Sequence, residues 1–272
     1  MRGRGINMIS ALFSPRRLSL AGSLVAALCA PLTPAAAQSL EEAPKLKEVP
    51  WGFDGPLGTY DRPALQRGFQ VFKEVCSSCH TLKYVAFRNL GDPGGPGFSL
   101  PEVKALAAAY QKDALDDTGQ PKQVARTPAD TLPAPFANEQ AARASNNGQL
   151  PPDLSLITHA REGGANYVYS ILTGFAQAPA GVQLRTGMNY NLYFPGHQIG
   201  MPPPLTDNRV QYSDGTQATL DQEARDVVTF LEWAAEPKME ERKRLGLSVI
   251  GYLVLLSGLM FWSYRRIWHG KH

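Results

Sequence analysis

The chain has 272 residues, of which 43% are hydrophobic and 19% charged, and three cysteines are too few for a disulfide framework. The formal net charge is +3, but the ends, 1–37 and 265–272, carry seven of the 27 Lys and Arg and none of the 24 Asp and Glu. The body between them is therefore acidic. This excludes nucleic acid as a partner, since phosphate binding needs a basic surface, and favours a basic protein partner.

The first 37 residues are typical of a secretory signal peptide. Arg16 and Arg17 precede an apolar run from Leu18 to Ala30, and three alanines at 35–37 offer a cleavage site. The alternative, an N-terminal transmembrane helix, would need a longer apolar run. The sequence therefore predicts export, with the body, 38–244, outside the cytoplasm.

The first predicted helix leads directly into the most informative motif of the chain. Residues 38–60 are interrupted by proline and glycine and predict irregular structure. Asp61 can cap a helix that begins at Arg62 and Pro63. The helix has one apolar face with steps of four, three and four residues. That face consists of Leu65, Phe69, Phe72 and Cys76.

The rest of the body predicts further helices and very little sheet. Residues 112–136, which hold several prolines and acids, predict a long polar loop. Thr219 and Gln222 fit a capping box before a helix that ends near Pro237. Strand-like alternation is almost absent, so we predict a mainly α body with at most a short hairpin. The other predicted helices are 102–111, 138–144 and 165–175.

The stretch 245–264 predicts one C-terminal transmembrane helix. Its 20 residues carry no charge, and at 1.5 Å per residue they span about 30 Å of hydrocarbon. Trp262 and Tyr264 lie where an aromatic belt is expected, and Arg265 and Arg266 follow. Basic residues before the helix favour an orientation with the body in the cytoplasm, but the predicted export signal outweighs them. We therefore expect the tail, 265–272, in the cytoplasm.

Residues 76–80, Cys-Ser-Ser-Cys-His, form the attachment pattern of a c-type haem. Two thiols at this spacing can bond to the two vinyl groups of one haem, and the adjacent His80 becomes an axial ligand of the iron. A thioredoxin-like site would need a βαβ frame, and a zinc site would need two further ligands. We predict one haem c, bound covalently by Cys76 and Cys79.

The sixth iron ligand has several candidates. Three prolines follow Met201 and fix the backbone beyond it, which favours Met201 over Met188. Met239 and Met260 lie at or within the predicted membrane helix. His197 is the rival, which would give two histidine ligands. An open sixth position would instead indicate a haem enzyme or gas sensor.

Several stretches of the body carry a further signal: 51–56, 67–71, 82–84, 88–90, 141–148, 151–155, 191–196, 199–202 and 226–237. In this order along the chain they resemble the cytochrome c1 family. That family provides the haem subunit of bacterial and mitochondrial cytochrome bc1 complexes. The resemblance implies a c-type cytochrome fold with long loop insertions, plus one C-terminal transmembrane helix. It also implies that His80 and Met201 are the axial ligands and that Arg143 faces a haem propionate.

The resemblance implies a place in a respiratory chain. The chain would be a non-catalytic redox subunit of ubiquinol–cytochrome c reductase, passing electrons from the Rieske iron–sulfur protein to a soluble c-type cytochrome. It would lie beside the cytochrome b subunit in a dimeric complex. Its location would be a bacterial inner membrane, crossed once, with the haem domain on the periplasmic side. The alternative is a membrane-anchored monohaem cytochrome subunit of another dehydrogenase or reductase.

Four acidic residues are candidates for a patch that attracts a basic acceptor. Charges on a protein surface can steer an oppositely charged partner during diffusion. We name this set the acidic patch, and it consists of Asp113, Asp116, Asp117 and Glu139.

Overall fold

The computed structural model describes residues 44–271, so the predicted signal peptide lies outside the described residues. Within this range the body is mainly α-helical, as predicted, with two short antiparallel hairpins. The helices are α1 Arg62–Glu74, α2 Leu100–Ala108, α3 Glu139–Ser145, α4 Gly164–Thr173, α5 Leu220–Ala235 and α6 Met239–Trp268. The strands are β1 Gln111–Leu115, β2 Pro121–Ala125, β3 Asn189–Tyr190 and β4 Gln198–Ile199. The 3₁₀ turns are Cys76–Ser78, Phe87–Gly91 and Pro195–His197.

The core is built on the crossing of α1 and α5. Gly68 lies at the crossing, where a Cβ atom would be only 2.0 Å from the Asp226 carbonyl oxygen. Phe69 and Phe72 pack against Phe230, with ring centroids 5.6 and 5.9 Å apart. The predicted apolar face of α1 is therefore the face that is buried, and α4 packs on α5 as well.

An ion pair between α1 and α5 stabilises the same crossing. Arg67 donates from Nε and Nη2 to the two carboxylate oxygens of Asp226, at 2.8 and 3.0 Å. Asp226 is 1% exposed, and Arg67 also donates to Asp214 at 2.9 Å. Hydrogen bonds to Asp226 and Asp214 raise the pKa of Arg67. The buried charge of Asp226 is therefore paired with a guanidinium that stays protonated.

Of the two predicted helix caps, the one at Thr219 is confirmed and the one at Asp61 is not. The Thr219 hydroxyl accepts from the Gln222 amide at 3.1 Å at the start of α5. Asn138 caps α3 in the same way, through the Ala141 amide at 2.9 Å. Asp61 precedes α1 but makes no side-chain cap, so that part of the prediction was wrong. The helix predicted at 102–111 is α2, which ends at Ala108.

The stretch 112–136 is not the structureless loop that the sequence predicted. Most of its first half forms the β1–β2 hairpin, in which Gln111 pairs with Ala125 and Leu115 with Pro121. The Asp116 carboxylate closes the turn by accepting from the Thr118 amide at 2.8 Å and the Gln120 amide at 2.9 Å. The Thr118 hydroxyl, which also donates to this carboxylate at 2.7 Å, and the two amides lower the pKa of Asp116. The hairpin was missed because its strands are largely exposed on both faces.

The C-terminal helix α6 has two distinct parts. It is long and apolar enough to cross a membrane, by length and composition. It begins at Met239, before the predicted start at 245, and Met239 is 3% exposed in the core. In this first part Glu240 accepts from the Tyr60 amide at 2.8 Å, and Lys243 Nζ donates to the Phe53 carbonyl at 2.6 Å. The apolar part beyond Arg244 is exposed at every residue up to Trp268 except Gly246, which is partly buried.

Candidate functional site

The haem-attachment motif lies on a 3₁₀ turn directly after α1. The amides of Cys79 and His80 both donate to the Cys76 carbonyl oxygen, at 3.1 and 2.9 Å. Cys76 and Cys79 are free thiols, so the pair forms no disulfide. Burial, together with the neighbouring Cys79, raises the pKa of the Cys76 thiol to about 12. A thiol with a raised pKa forms little thiolate, which argues against a thioredoxin-like exchange site here.

The His80 ring is oriented by a carbonyl oxygen from a distant part of the chain. Its Nδ1 lies 2.8 Å from the Pro152 carbonyl oxygen. Burial lowers the pKa of His80, although this carbonyl and the nearby Asp153 favour the charged form. A neutral imidazole must then carry its proton on Nδ1 and donate it to Pro152, which leaves the Nε2 lone pair for a metal.

The Asp153 carboxylate holds the residues after His80 against the segment around Pro152. It accepts from the Thr81 hydroxyl at 2.5 Å, the Lys83 amide at 3.0 Å and the Ser155 amide at 3.0 Å. Burial alone would raise the pKa of Asp153, but these hydrogen bonds outweigh it and lower the pKa. The sequence indicated this stretch only as a family resemblance and missed its role in orienting His80.

Met201 lies just beyond a hairpin that is anchored in the core. The hairpin consists of β3 and β4, and Met201 packs against the main hydrophobic cluster. Asn191 is 0% exposed at the base of the loop that joins β3 to β4. Its Nδ2 donates to the Ile171 carbonyl at 2.8 Å, and its Oδ1 accepts from the Tyr193 amide at 3.0 Å. The loop before Met201 is thus attached to α4, and the prolines that follow restrict it from the other side.

The other candidates for the sixth iron ligand lie in different parts of the structure. His197 stacks on the Tyr190 ring at 5.5 Å, and its Nδ1 lies 3.2 Å from the Asn191 carbonyl oxygen, so the ring contributes to the hairpin. Met239 is buried at the start of α6, and Met260 is 66% exposed on its apolar part. Met188 is partly buried on a turn in which its amide bonds the Arg185 carbonyl at 3.0 Å.

Arg143 is exposed on α3 and helps to close the turn that follows this helix. Its Nη1 donates to the Gly148 carbonyl at 3.3 Å, and the Gly148 amide donates to the Arg143 carbonyl at 2.8 Å. A guanidinium has five N–H donors, so this contact leaves others for an anionic group.

The donor chemistry of the site fits a covalently bound haem. Two free thiols on one turn can form thioethers, and the neutral His80 offers Nε2. A thioether on a restrained loop, Met201, suits the opposite axial position.

Comparison with known proteins agrees with this chemistry. The Cytochrome C1 family model matches residues 51–271. A protein named cytochrome b/c1 from Bradyrhizobium diazoefficiens is 49% identical over 82% of this chain, which spans only 35% of that protein. Cytochrome c1 of Rhodospirillum rubrum is 46% identical, with 87% of this chain and 93% of the relative covered. The mitochondrial heme protein cytochrome c1 1 of Arabidopsis thaliana is 44% identical, covering 93% and 81%. The chain therefore belongs to the cytochrome c1 family, the haem subunits of cytochrome bc1 complexes, and carries one covalently bound haem c.

Proposed function

We propose that this chain carries electrons from a Rieske iron–sulfur protein to a soluble c-type cytochrome within a bc1 complex. The observation that carries the proposal is the His80 ring, whose Nδ1 is held by the Pro152 carbonyl beside two free thiols. A haem c bound there supplies a one-electron redox centre, whose potential is raised by His/Met ligation. The chain itself would make and break no substrate bonds.

The proposed roles of the site residues follow from their chemistry. Cys76 and Cys79 form the thioethers, and His80 and Met201 are the axial ligands. Arg143 pairs with a haem propionate through the guanidinium donors that Gly148 leaves available. The contact of His80 with Pro152 and the attachment of the loop before Met201 to α4 hold the proposed ligands in place, which keeps the reorganisation on electron transfer small.

We further propose a single membrane crossing with the haem domain on the periplasmic side of a bacterial inner membrane. The apolar part of α6, 245–264, is the crossing, and Arg265 and Arg266 favour a cytoplasmic tail. The segment 1–37 would be the removed signal peptide. Cytochrome b is the expected neighbour of α6, since one relative's name joins cytochromes b and c1. The complex is expected to be dimeric.

The decisive experiment replaces Met201 by leucine in the membrane complex. We expect Met201→Leu to lower the midpoint potential and to let carbon monoxide bind the reduced haem, because the sixth ligand is lost. Met188→Leu is the matched control and should leave both properties unchanged. Carbon monoxide binding by the wild type would indicate an enzyme or sensor instead. An unchanged Met201→Leu protein would assign the ligand to Met188 or His197.

The acidic patch is the proposed guide for a basic acceptor. Asp113, Asp117 and Glu139 are exposed, whereas Asp116 is engaged in the hairpin turn. Neutralising the three exposed acids as Asn, Asn and Gln should slow acceptor reduction and flatten its dependence on ionic strength. A triple variant with unchanged salt dependence would show that these acids do not steer the acceptor.

A further inference from the structure

A second group of potential metal ligands lies apart from the haem motif, between the turn before α4 and the end of α5. One donor atom from each of His159, Glu232 and Glu236 lies within 4.8 Å of the other two. His159 Nε2 and Glu232 Oε1 are 3.3 Å apart. Two ligands of a tetrahedral zinc ion with bonds of about 2.0–2.2 Å are separated by about 3.4 Å. This pair is therefore already at the spacing that a zinc ion requires.

The chain holds the two glutamates close together in spite of their like charges. They are four residues apart at the end of α5, where carboxylates on one helix face repel each other. The Tyr60 hydroxyl contacts the main-chain carbonyls of both residues, at 3.3 Å to Glu232 and 3.1 Å to Glu236. Arg242 pairs with one Glu236 oxygen, which offsets part of the repulsion. Tyr60 thus fixes the main chain at both residues, and a cation would relieve the repulsion between the carboxylates that Arg242 leaves.

A buried hydroxyl in the cleft that the two glutamates line is an independent indication of a ligand. Thr158 lines the cleft together with Glu232 and Glu236. It is 3% exposed, and its Oγ1 has no hydrogen-bond partner among the described residues. Buried hydroxyls are normally satisfied, so this one indicates a polar group in the cleft that the protein does not itself provide. A metal-bound water would satisfy it.

We propose that His159, Glu232 and Glu236 bind one Zn²⁺ ion, with a water as the fourth ligand held by the Thr158 hydroxyl. One imidazole nitrogen with carboxylate oxygens suits zinc, whereas magnesium and calcium prefer all-oxygen sites. The bound ion cross-links the turn before α4 to the end of α5, next to the first turn of α6. The site shares no ligand with the haem and does not depend on the proposed electron-transfer role.

The test is a calorimetric titration of Zn²⁺ into the full-length, haem-loaded chain in detergent, purified without a histidine tag. We expect one ion per chain, and we expect His159→Ala and Glu232→Gln each to weaken binding at least about tenfold. The matched controls are His269→Ala and Glu241→Gln, which replace a histidine and a neighbouring glutamate outside the cluster and should bind as the wild type does. The haem spectrum reports whether each variant is folded.

Thr158→Val keeps the test decisive if a ligand variant fails to fold. It has nearly the same shape, and we expect about tenfold weaker zinc binding because the water loses its partner. X-ray absorption at the zinc edge should show one imidazole and otherwise oxygen ligands. The proposal is wrong if the wild type binds no zinc, or if zinc binding survives both ligand substitutions. The cluster would then be only a His–Glu hydrogen bond beside an ion pair.

Discussion

The Asp153 carboxylate is the residue on which the orientation of the haem motif depends most directly. It accepts hydrogen bonds from Thr81 and Lys83, which follow His80, and from Ser155 on its own segment. Pro152, the partner of His80, immediately precedes it. A change at Asp153 therefore loosens the contact that sets the ring orientation, without touching a ligand.

We expect Asp153→Asn to lower the free energy of unfolding by about 1–2 kcal/mol at pH 7, since hydrogen bonds to a charged acceptor are lost. The pKa of Asp153 is lowered in the folded state. The carboxylate therefore stabilises the fold above the unfolded pKa of about 3.9, and this contribution is lost as the pH falls through the lower folded value. The measurement is denaturant unfolding of the wild type and of Asp153→Asn between pH 7 and pH 3. The difference between their unfolding free energies should become smaller below about pH 4.

The exposed Asp117→Asn is the control for this pH series and should follow the wild type throughout. If the unfolding free energies of the wild type and Asp153→Asn differ by the same amount down to pH 3, the charge of the carboxylate contributes nothing to stability.

At this scale the haem motif can be recognised in the sequence, whereas the residues that support it cannot. Cys76, Cys79 and His80 are adjacent, and haem attachment itself requires their spacing, so the motif can be read locally. Pro152 contacts His80 through a main-chain carbonyl, and Asn191 attaches the loop before Met201 to α4 through a buried amide. No local pattern specifies such contacts, because any residue type offers a carbonyl oxygen and only the fold brings it to the ring.

The crossing of α1 and α5 is the element contact on which the haem domain rests. The two helices approach so closely at Gly68 that a Cβ there would also lie 2.7 Å from the Phe230 Cβ. The Arg67–Asp226 pair lies at the same level. Because α1 ends where the haem motif begins, the position of this helix determines where the two cysteines lie.

Gly68→Ala should therefore destabilise the protein by about 1–3 kcal/mol or more, since the added methyl group forces the helices apart. Denaturant unfolding of the purified protein measures this change, and the yield of covalently bound haem should fall with it. Gly246→Ala is the matched control, because a Cβ there meets no atom within 4 Å and alanine favours the helix. Equal stability of the two variants would show that the close approach is not needed.

Elements with one buried face could be predicted from the sequence, and elements without one could not. The face of α1 and the cap of α5 appear as periodic apolar residues and as Thr219 before the helix. The strands of the β1–β2 hairpin bury little apolar surface, so apolar and polar residues alternate only weakly in this part of the sequence. The local sign of its turn in the sequence is Gly119 after Asp116 and Asp117, and Gly119 adopts a φ of 83° in the structure.

For the molecule as a whole, the junction between the body and α6 decides how the haem domain is attached. Glu240 bonds the Tyr60 amide and the Arg62 guanidinium at 2.8 and 2.6 Å. Lys243 Nζ bonds the carbonyls of Phe53 and Gly58 at 2.6 and 3.2 Å. The first turns of α6 thus belong structurally to the haem domain, and only the exposed apolar part behaves as an anchor.

Two truncations separate these parts of α6. A chain that ends at Arg244 keeps the contacts of Met239, Glu240 and Lys243, so it should be released from the membrane with an unchanged haem spectrum and stability. A chain that ends at Pro237 also loses the burial of Met239, which is 3% exposed, and its unfolding free energy should fall by at least about 2 kcal/mol. Denaturant unfolding of both soluble proteins measures the difference. If both chains are equally stable, the whole of α6 is an anchor, and the haem domain ends before it.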